Sequence, residues 1–392
     1  MRVHPSCFFY PLFFLSILAT WSARASGWKG EPQLEMTYEE HEFLAACREG
    51  NVPAVEYYLG QDGFDPNANF KSGASGNMMF GLFLAAENGH DKVVRIFAQT
   101  EGIDLNQTKD GVTPLFMACQ EGHDKVVKIL AQTDGIHLNQ AWNGVTPLFM
   151  ASQQGHDKVV KILAQTEGID LNQTWNGATS LYQASKNGHD KVVKILAQTD
   201  GIDLNQTKDG ATPLFIASQE GHDKVVQILA QTEGIDLNQA WNGVTPLYRT
   251  SYDGHVKVVE ILAQTAGIDL NQTCDGVTAL FIASEEGHEQ VVKILLEAGA
   301  DPAIEWRYSF VFSKKPRTQA RIMRPLFRRM NPEKYDIQTR IINDLKTAEN
   351  NWGRKHILPL NYHNQTHYDS VSERIPLLNE MQRLYISAPS KL

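Results

Sequence analysis

Cysteine is scarce in this chain of 392 residues, which contains only four. Small secreted domains that are held together by disulfides use cysteine far more densely, so a disulfide framework is excluded as the basis of the fold. The sequence also lacks a glycine-rich phosphate loop, a nucleophile elbow and the paired carboxylates of an acid–base catalyst. We therefore predict that the protein is not an enzyme, and we expect no cofactor, no metal site and no small-molecule substrate.

Basic residues are outnumbered, since 36 Lys and Arg stand against 45 Asp and Glu for a net charge of -9. This balance excludes a chain that is polybasic throughout, as many nucleic-acid and membrane-surface binders are. The sign reverses near the end, because residues 303–392 contain 16 basic and 8 acidic side chains, which leaves 20 and 37 for residues 1–302. We expect two regions of opposite charge.

The N-terminal apolar run, residues 7–19, is shorter than the roughly 20 residues that a membrane-spanning helix needs. A weakly positive start precedes it, and the small-x-small sequence Ala23-Arg24-Ala25 follows it. This order is typical of a secretory signal peptide, which we prefer to a retained membrane anchor. We therefore predict a signal peptide over residues 1–25 with cleavage after Ala25, a linker over residues 26–39, and a secreted or periplasmic mature protein.

The middle of the chain repeats itself every 33 residues. The register is marked by six glycines, Gly111, Gly144, Gly177, Gly210, Gly243 and Gly276. A period of this length indicates a row of stacked structural units.

Each repeat carries the signals of two short helices and a loop. In one copy, the hydroxyl of Thr113 can cap a helix whose first residue is Pro114, and Gly122 ends that helix. Asp124 then stands in the first turn of a second helix, which Gly135 ends. The residues that follow are turn formers and predict an extended, hairpin-like loop.

This unit resembles the ankyrin repeat, since Gly-x-Thr-Pro-Leu, then Ala, Gly-His, Val-Val and Leu follow one another in the family's order. The resemblance implies an all-α fold, an ankyrin-repeat solenoid, and helix signals in the C-terminal region add the prediction of a helical appendage. The array should span residues 40–307 in about eight repeats. These start near residues 40, 77, 110, 143, 176, 209, 242 and 275.

The family's usual His after Thr-Pro-Leu is replaced by an aromatic residue, so its usual hydrogen bond is not expected. The replacing residues are Phe116, Phe149, Tyr182, Phe215, Tyr248 and Phe281.

The resemblance also implies a partner-binding surface on the concave face and the loop tips. Candidates are the positions at which nearly identical repeats differ, because shared packing does not determine them, and exposed Trp, Tyr and Arg dominate interface energies. The loop-tip candidates are Lys109, Trp142, Trp175, Lys208 and Trp241, and the first-helix candidates are Tyr182, Lys186, Arg249 and Tyr252. The alternative is that each Trp folds onto an adjacent loop as packing.

Two further sets of recurring polar residues have a structural interpretation. The histidines at the inter-helix turns (His90, His123, His156, His189, His222, His255 and His288) are spaced in a line, whereas a zinc site needs about four converging ligands. Asn-Gln-Thr occurs at Asn106, Asn172, Asn205, Asn271 and Asn364 and permits N-glycosylation. Asn139 and Asn238 keep the Asn without the Thr, so we expect this Asn to serve the loop backbone.

The C-terminal region, residues 308–392, is predicted to be basic and partly helical. Residues 307–334 contain nine basic side chains and one acidic side chain. Contact with nucleic acid or an anionic membrane is one interpretation, but we favour docking on the chain's own acidic array or closure of its last apolar face. Asn331-Pro332 is a helix start, and Ile341 and Leu345 would share one face of that helix.

The function that these features favour is an exported protein-protein interaction module that binds a partner protein. The first alternative is a structural spacer or scaffold without a dedicated partner, which the near-identity of the repeats would suit. The second is a secreted enzyme with its site in the C-terminal region, where His356, His363 and His367 are the candidate residues.

Overall fold

The computed structural model describes most of the repetitive region and a few segments after it. The predicted signal peptide, most of the linker and most of the basic C-terminal region, with His356, His363, His367 and Asn364, lie outside the described residues. The described residues are 38–72, 77–302, 304, 306–307, 313–314, 340–341 and 343–348. They belong to two compact bodies, Met1–Asn176 and Gly177–Leu392.

Helix pairs follow one another in the N-terminal body, and a short β-hairpin is inserted after the first pair. The first helices of the pairs are α1 (Tyr38–Glu49), α3 (Gly81–Glu87), α5 (Pro114–Glu121) and α7 (Pro147–Gln154). The second helices are α2 (Val52–Leu59), α4 (Asp91–Gln99), α6 (Asp124–Ala131) and α8 (Asp157–Ala164). The hairpin pairs β1 (Phe70–Ser72) antiparallel with β2 (Asn77–Met79), with Phe70 opposite Met79.

The C-terminal body has the same organisation. Its first helices are α9 (Ser180–Lys186), α11 (Pro213–Gln219), α13 (Pro246–Asp253) and α15 (Ala279–Glu286). Its second helices are α10 (Asp190–Ala197), α12 (Asp223–Ala230), α14 (Val256–Gln264) and α16 (Glu289–Ala298). A two-residue pairing of β3 (Trp306–Arg307) with β4 (Ser313–Lys314) follows.

The local signals of the first helix produce its predicted ends, whereas the second helix, α6, ends at Ala131, before the predicted stop at Gly135. The Thr113 hydroxyl accepts a hydrogen bond of 3.1 Å from the backbone N–H of Phe116, and Pro114 opens α5. Gly122 ends the helix in the left-handed conformation, with φ of 77°. Since glycine enters that region without the steric penalty of a Cβ, the chain can turn directly into α6.

The core lies between equivalent helices of successive repeats. Within each body, first helices pack on first helices and second helices on second helices. Leu115 and Ala118 of α5 and Val126, Val127 and Leu130 of α6 are completely buried. Burial of each large aliphatic side chain is worth about 1.5–3 kcal/mol, which offsets the weakness of helices this short.

The loops end in tight two-residue turns, as the hairpin-like prediction requires. Lys109 and Val112 exchange two backbone hydrogen bonds of 2.9 Å, and Asp110 and Gly111 between them both have positive φ, 52° and 82°. Positive φ at both central positions defines the type I′ turn, which matches the twist of the two strands that it connects.

The loop Asn of one repeat bonds to the backbone of the next. Asn106 Nδ2 donates to the carbonyl of Gly135 at 2.8 Å, and its Oδ1 accepts from the N–H of His137 at 2.7 Å. Asn238 does the same with the carbonyl of Gly267 and the N–H of Asp269. The expected backbone role of this Asn is therefore present, with or without a following Thr.

The turn histidines also connect successive repeats. His123 Nε2 lies 2.9 Å from the carbonyl oxygen of Glu87, and His156 Nε2 lies 2.9 Å from that of Gln120. Because a carbonyl can only accept, Nε2 carries the hydrogen. Both rings pack against the left-handed glycine of the preceding repeat, so that a Cβ at Gly122 would lie 2.7 Å from His156 Nδ1. The structural reading of these histidines agrees with these contacts.

Part of the predicted C-terminal helix is described. Residues 340–341 and 343–348 are helical, and Ile341 and Leu345 are completely buried. Arg340 Nη1 forms an ion pair of 3.2 Å with Glu289 Oε2 on α16. The segment therefore lies on the last helix pair of the array. Among the described helices, none is long and apolar enough to cross a membrane.

Replacement of Asn238 by Ala should lower the free energy of unfolding by about 2 kcal/mol, because two inter-repeat hydrogen bonds are lost and their backbone partners stay unsatisfied. Urea unfolding of the whole chain measures this change. Asn238→Asp keeps the acceptor but loses the donor and should fall between Ala and wild type. Equal stability of all three proteins would show that the Asn ladder does not connect the repeats.

Candidate partner-binding face

In five repeats, the loop-tip residue packs on the aromatic residue at the position of the family's usual His. Trp142, Trp175 and Trp241 are half-buried, and each meets a buried Phe of its own repeat edge to face. The ring centroids are 5.8 Å apart for Phe116 and Trp142, 5.5 Å for Phe149 and Trp175, and 5.4 Å for Phe215 and Trp241. Such edge-to-face pairs contribute about 0.5–1.5 kcal/mol beyond the area they bury.

Lysine takes the same place in two other repeats. Lys109 Nζ lies 4.9 Å from the ring centroid of Phe83, and Lys208 Nζ lies 6.0 Å from that of Tyr182. An ammonium over an aromatic face is attracted by the ring quadrupole. The tip position thus accepts either an aromatic ring or a cation, because both suit the aromatic side chain beneath it.

Trp142 is also held by the preceding hairpin tip. Its Nε1 donates to the backbone carbonyl of Asp110 at 3.1 Å, and a Cβ on Gly111 would lie only 3.3 Å from its Cδ1. Trp142 therefore connects adjacent hairpins. The packing alternative for the tip tryptophans is thus realised in the structure, and their contact with a partner stays a prediction.

The first-helix candidates have different surroundings. Lys186 is exposed at the end of α9, whereas Tyr182 is buried, with 7% of its surface exposed. Tyr252 is 43% exposed, which makes it one of two large hydrophobic side chains that are exposed in the described part of the chain. The other is Tyr57 on α2, at 63%.

Arg249 joins this exposed tyrosine to a carboxylate on the same helix. Its guanidinium lies 5.5 Å from the ring centroid of Tyr252, and its Nε forms an ion pair of 2.7 Å with Asp253 Oδ2. One turn of α13 thus holds a cation, an aromatic ring and a carboxylate in contact. The structure brings the candidates Arg249 and Tyr252 together.

Negative charge surrounds the neighbouring Tyr248. Burial and then the nearby Cys274, Glu285 and Asp275 raise the pKa of Tyr248 to about 12. Partial burial and then Asp275 also raise the pKa of Cys274. The Tyr182 pKa is raised as well, first by burial and then by Asp209 and Glu220.

Asp253 is the member of this cluster that the sequence-based candidates omit. The Arg249–Asp253 spacing of four residues was the available signal, because residues four apart lie on the same side of a helix. Comparison of the repeats selected Arg249 and Tyr252 because they differ from their equivalents. It did not select Asp253, because the equivalent residues Glu121 and Glu220 are also acidic.

The buried cysteines and the polar clusters give no reason for catalysis. Cys47 and Cys119 are free, buried thiols, and burial raises the pKa of both. Within the described ranges, no group of three or more His, Cys, Asp or Glu side chains could hold a metal ion. An open groove of about 760 Å³ between α4 and α6 is lined by charges of both signs, including Arg95, Lys128 and Asp134.

Comparison with known families decides the identity of the array. A profile described as ankyrin repeats (3 copies) matches residues 43–141, 134–208, 169–240 and 214–305. The chain belongs to the ankyrin repeat family. The sequence-based recognition and fold class are thereby confirmed. Ankyrin repeats generally mediate protein-protein interactions, and the fold is typically a non-enzymatic module.

Two solved structures of ankyrin repeat domains are similar to this chain. The ankyrin repeat domain of Bcl-3, described as a unique member of the IkappaB protein family, is 26% identical, with a TM-score of 0.50, and the match covers 58% of this chain and 99% of that one. The human ASB11 ankyrin repeat domain is also 26% identical, with a TM-score of 0.48. That match covers 57% of this chain and 99% of the ASB11 chain. No curated protein sequence matches this ankyrin chain.

Replacement of Trp142 by Ala should destabilise the array by about 2 kcal/mol, because its contacts with both Phe116 and the preceding tip are lost. Thermal and urea unfolding of the whole chain measure this loss. Trp142→Lys is the matched variant, since Lys109 and Lys208 occupy the same position, and it should recover at least half of the loss. Unchanged stability of the Ala variant would show that the tip ring is not part of the packing.

Proposed function

We propose that this ankyrin repeat protein is exported and binds a partner protein with the first helices and hairpin tips of its array. The observation that carries the proposal is the cluster of Arg249, Tyr252 and Asp253 on α13. It stands on an exposed surface where the other repeats have different residues. Arg and Tyr are among the residue types that dominate interface energies.

The pattern of variation among the repeats supports this assignment. The paired valines of the second helix recur in each repeat from residue 77 onward, as at Val126 and Val127, because stacking buries them. The position of Tyr252 varies instead. Its equivalents are Glu87, Gln120, Gln153, Lys186, Gln219 and Glu285. A passive spacer needs no such specialisation of one repeat.

The cluster is also suited energetically to binding. Arg249 is held by both a ring and a carboxylate, so little side-chain freedom remains to be lost on association. The backbone beneath it is a helix that is packed on α11 and α15. Affinity can then rest on a few ordered anchors, with the surrounding polar positions providing complementarity.

Export is the second part of the proposal, and residues 1–25 support it by their charge, apolar run and cleavage sequence. In a host with a secretory pathway, the whole chain should be recovered outside the cytoplasm with Ser26 as its first residue. Ala25→Glu should prevent this cleavage, since the signal peptidase of the host requires a small residue before the cleaved bond. Recovery of an uncleaved wild-type chain from the cytoplasm would contradict export.

Site-specific photo-crosslinking tests the binding face. Benzoylphenylalanine in place of Tyr252 should yield one reproducible crosslinked partner in the protein's native host. The control carries the same group in place of Glu260, an exposed residue on α14 of the same repeat, and should give no such product. No product at either position, or the same products at both, would favour the structural spacer.

A further inference from the structure

The seventh and eighth repeats together carry a surface that we define as the tyrosine patch. It comprises Tyr248, Arg249, Tyr252 and Asp253 on α13, Asp275 at the hairpin tip and Glu285 on α15. The aromatic, cationic and acidic side chains of this patch come from the two neighbouring first helices and the turn between their repeats.

The patch is net negative. Its single cation, Arg249, is matched by Asp253 at 2.7 Å, and the exposed carboxylate of Asp275 leaves the patch net negative without counting Glu285. The nearby carboxylates of Asp275 and Glu285 both contribute to the raised pKa of Tyr248. A partner that approaches this surface therefore meets an electrostatic potential that favours positive charge.

Tyr252 adds an exposed aromatic ring to the negative surface. A ring beside carboxylates attracts Lys and Arg side chains, because the ring quadrupole and the carboxylates both favour a cation. Arg249 already shows the contact within the chain, with its guanidinium 5.5 Å from the Tyr252 centroid. In the third repeat, the residues at the positions of Arg249 and Tyr252 are Met117 and Gln120, which are uncharged.

We propose that the tyrosine patch binds a basic, Lys- or Arg-containing segment of the partner protein. This inference rests on the proposed function and specifies its partner by chemistry. Tyr252 and Asp275 are the contacting residues that we assign to the incoming cations. Because complementary charge accelerates encounter and is screened by salt, binding should weaken as ionic strength rises.

Fluorescence anisotropy with two short labelled peptides tests this proposal on the full mature chain. One peptide repeats Arg-Ser-Lys-Leu, and the other has Glu in place of each Arg and Lys. The basic peptide should bind at low ionic strength and the acidic peptide should not. Equal binding of the two peptides would overturn the proposal.

Variants identify the site. Tyr252→Gln, which installs the residue found at the equivalent positions 120, 153 and 219, should weaken binding about tenfold, and Asp275→Asn should weaken it about threefold. Tyr57→Gln is the control, since Tyr57 is more exposed but lies on α2. Unchanged affinity of the Tyr252 variant, or the same loss in the control, would contradict the assigned patch.

Two outcomes separate the competing occupants and the underlying function. If the wild type binds no basic peptide but a full-length variant with Arg321, Arg324 and Arg328 changed to Gln does, the chain's own basic segment is the occupant and the partner assignment is wrong. If crosslinking at residue 252 still yields a specific partner while the basic peptide never binds, the proposed function stands and this inference alone fails.

Discussion

The packing of each helix pair on its neighbours is the constraint on which this structure depends. Apart from α1, the helices of the array have between 7 and 10 residues, which is shorter than the length at which an isolated helix becomes stable in water. Their apolar residues, such as Val126 and Leu130, are shielded only when adjacent repeats of the same body cover them. Each repeat therefore covers apolar residues of its neighbour, and the stability of the array depends on these interfaces between repeats.

The same constraint explains which positions are free to carry function. Contacts between stacked repeats constrain four kinds of residue, namely the second-helix valines, the loop Asn, the turn His and the left-handed glycine. The tip residue is also largely occupied, since Trp142 bonds to the preceding turn and Lys109 covers Phe83. What remains is the exposed side of the first helices, where the seventh repeat departs from the others with Arg249 and Tyr252.

The fold could be predicted from the sequence because the same local signals recur in each repeat. A threonine cap, a proline at the first helical position and a glycine stop act within one turn of helix, so a single repeat such as residues 110–142 contains them all. The site could be predicted only in part. Exposed Trp residues at loop tips suggested anchors, but their burial depends on the preceding hairpin, which no local pattern reveals. The spacing of four residues places Arg249 and Asp253 on the same side of α13, but their ion pair also depends on side-chain geometry.

Hydrogen exchange after a single cavity mutation in α12 tests the dependence on stacking most directly. Val226 is completely buried, so Val226→Ala should weaken the interface of α12 with α10 and α14 without altering any surface residue. The account predicts faster amide exchange in α10 and α14 as well as in α12, because protection is shared between stacked repeats. Faster exchange confined to α12, with wild-type protection in both neighbours, would show that each helix pair is stable by itself.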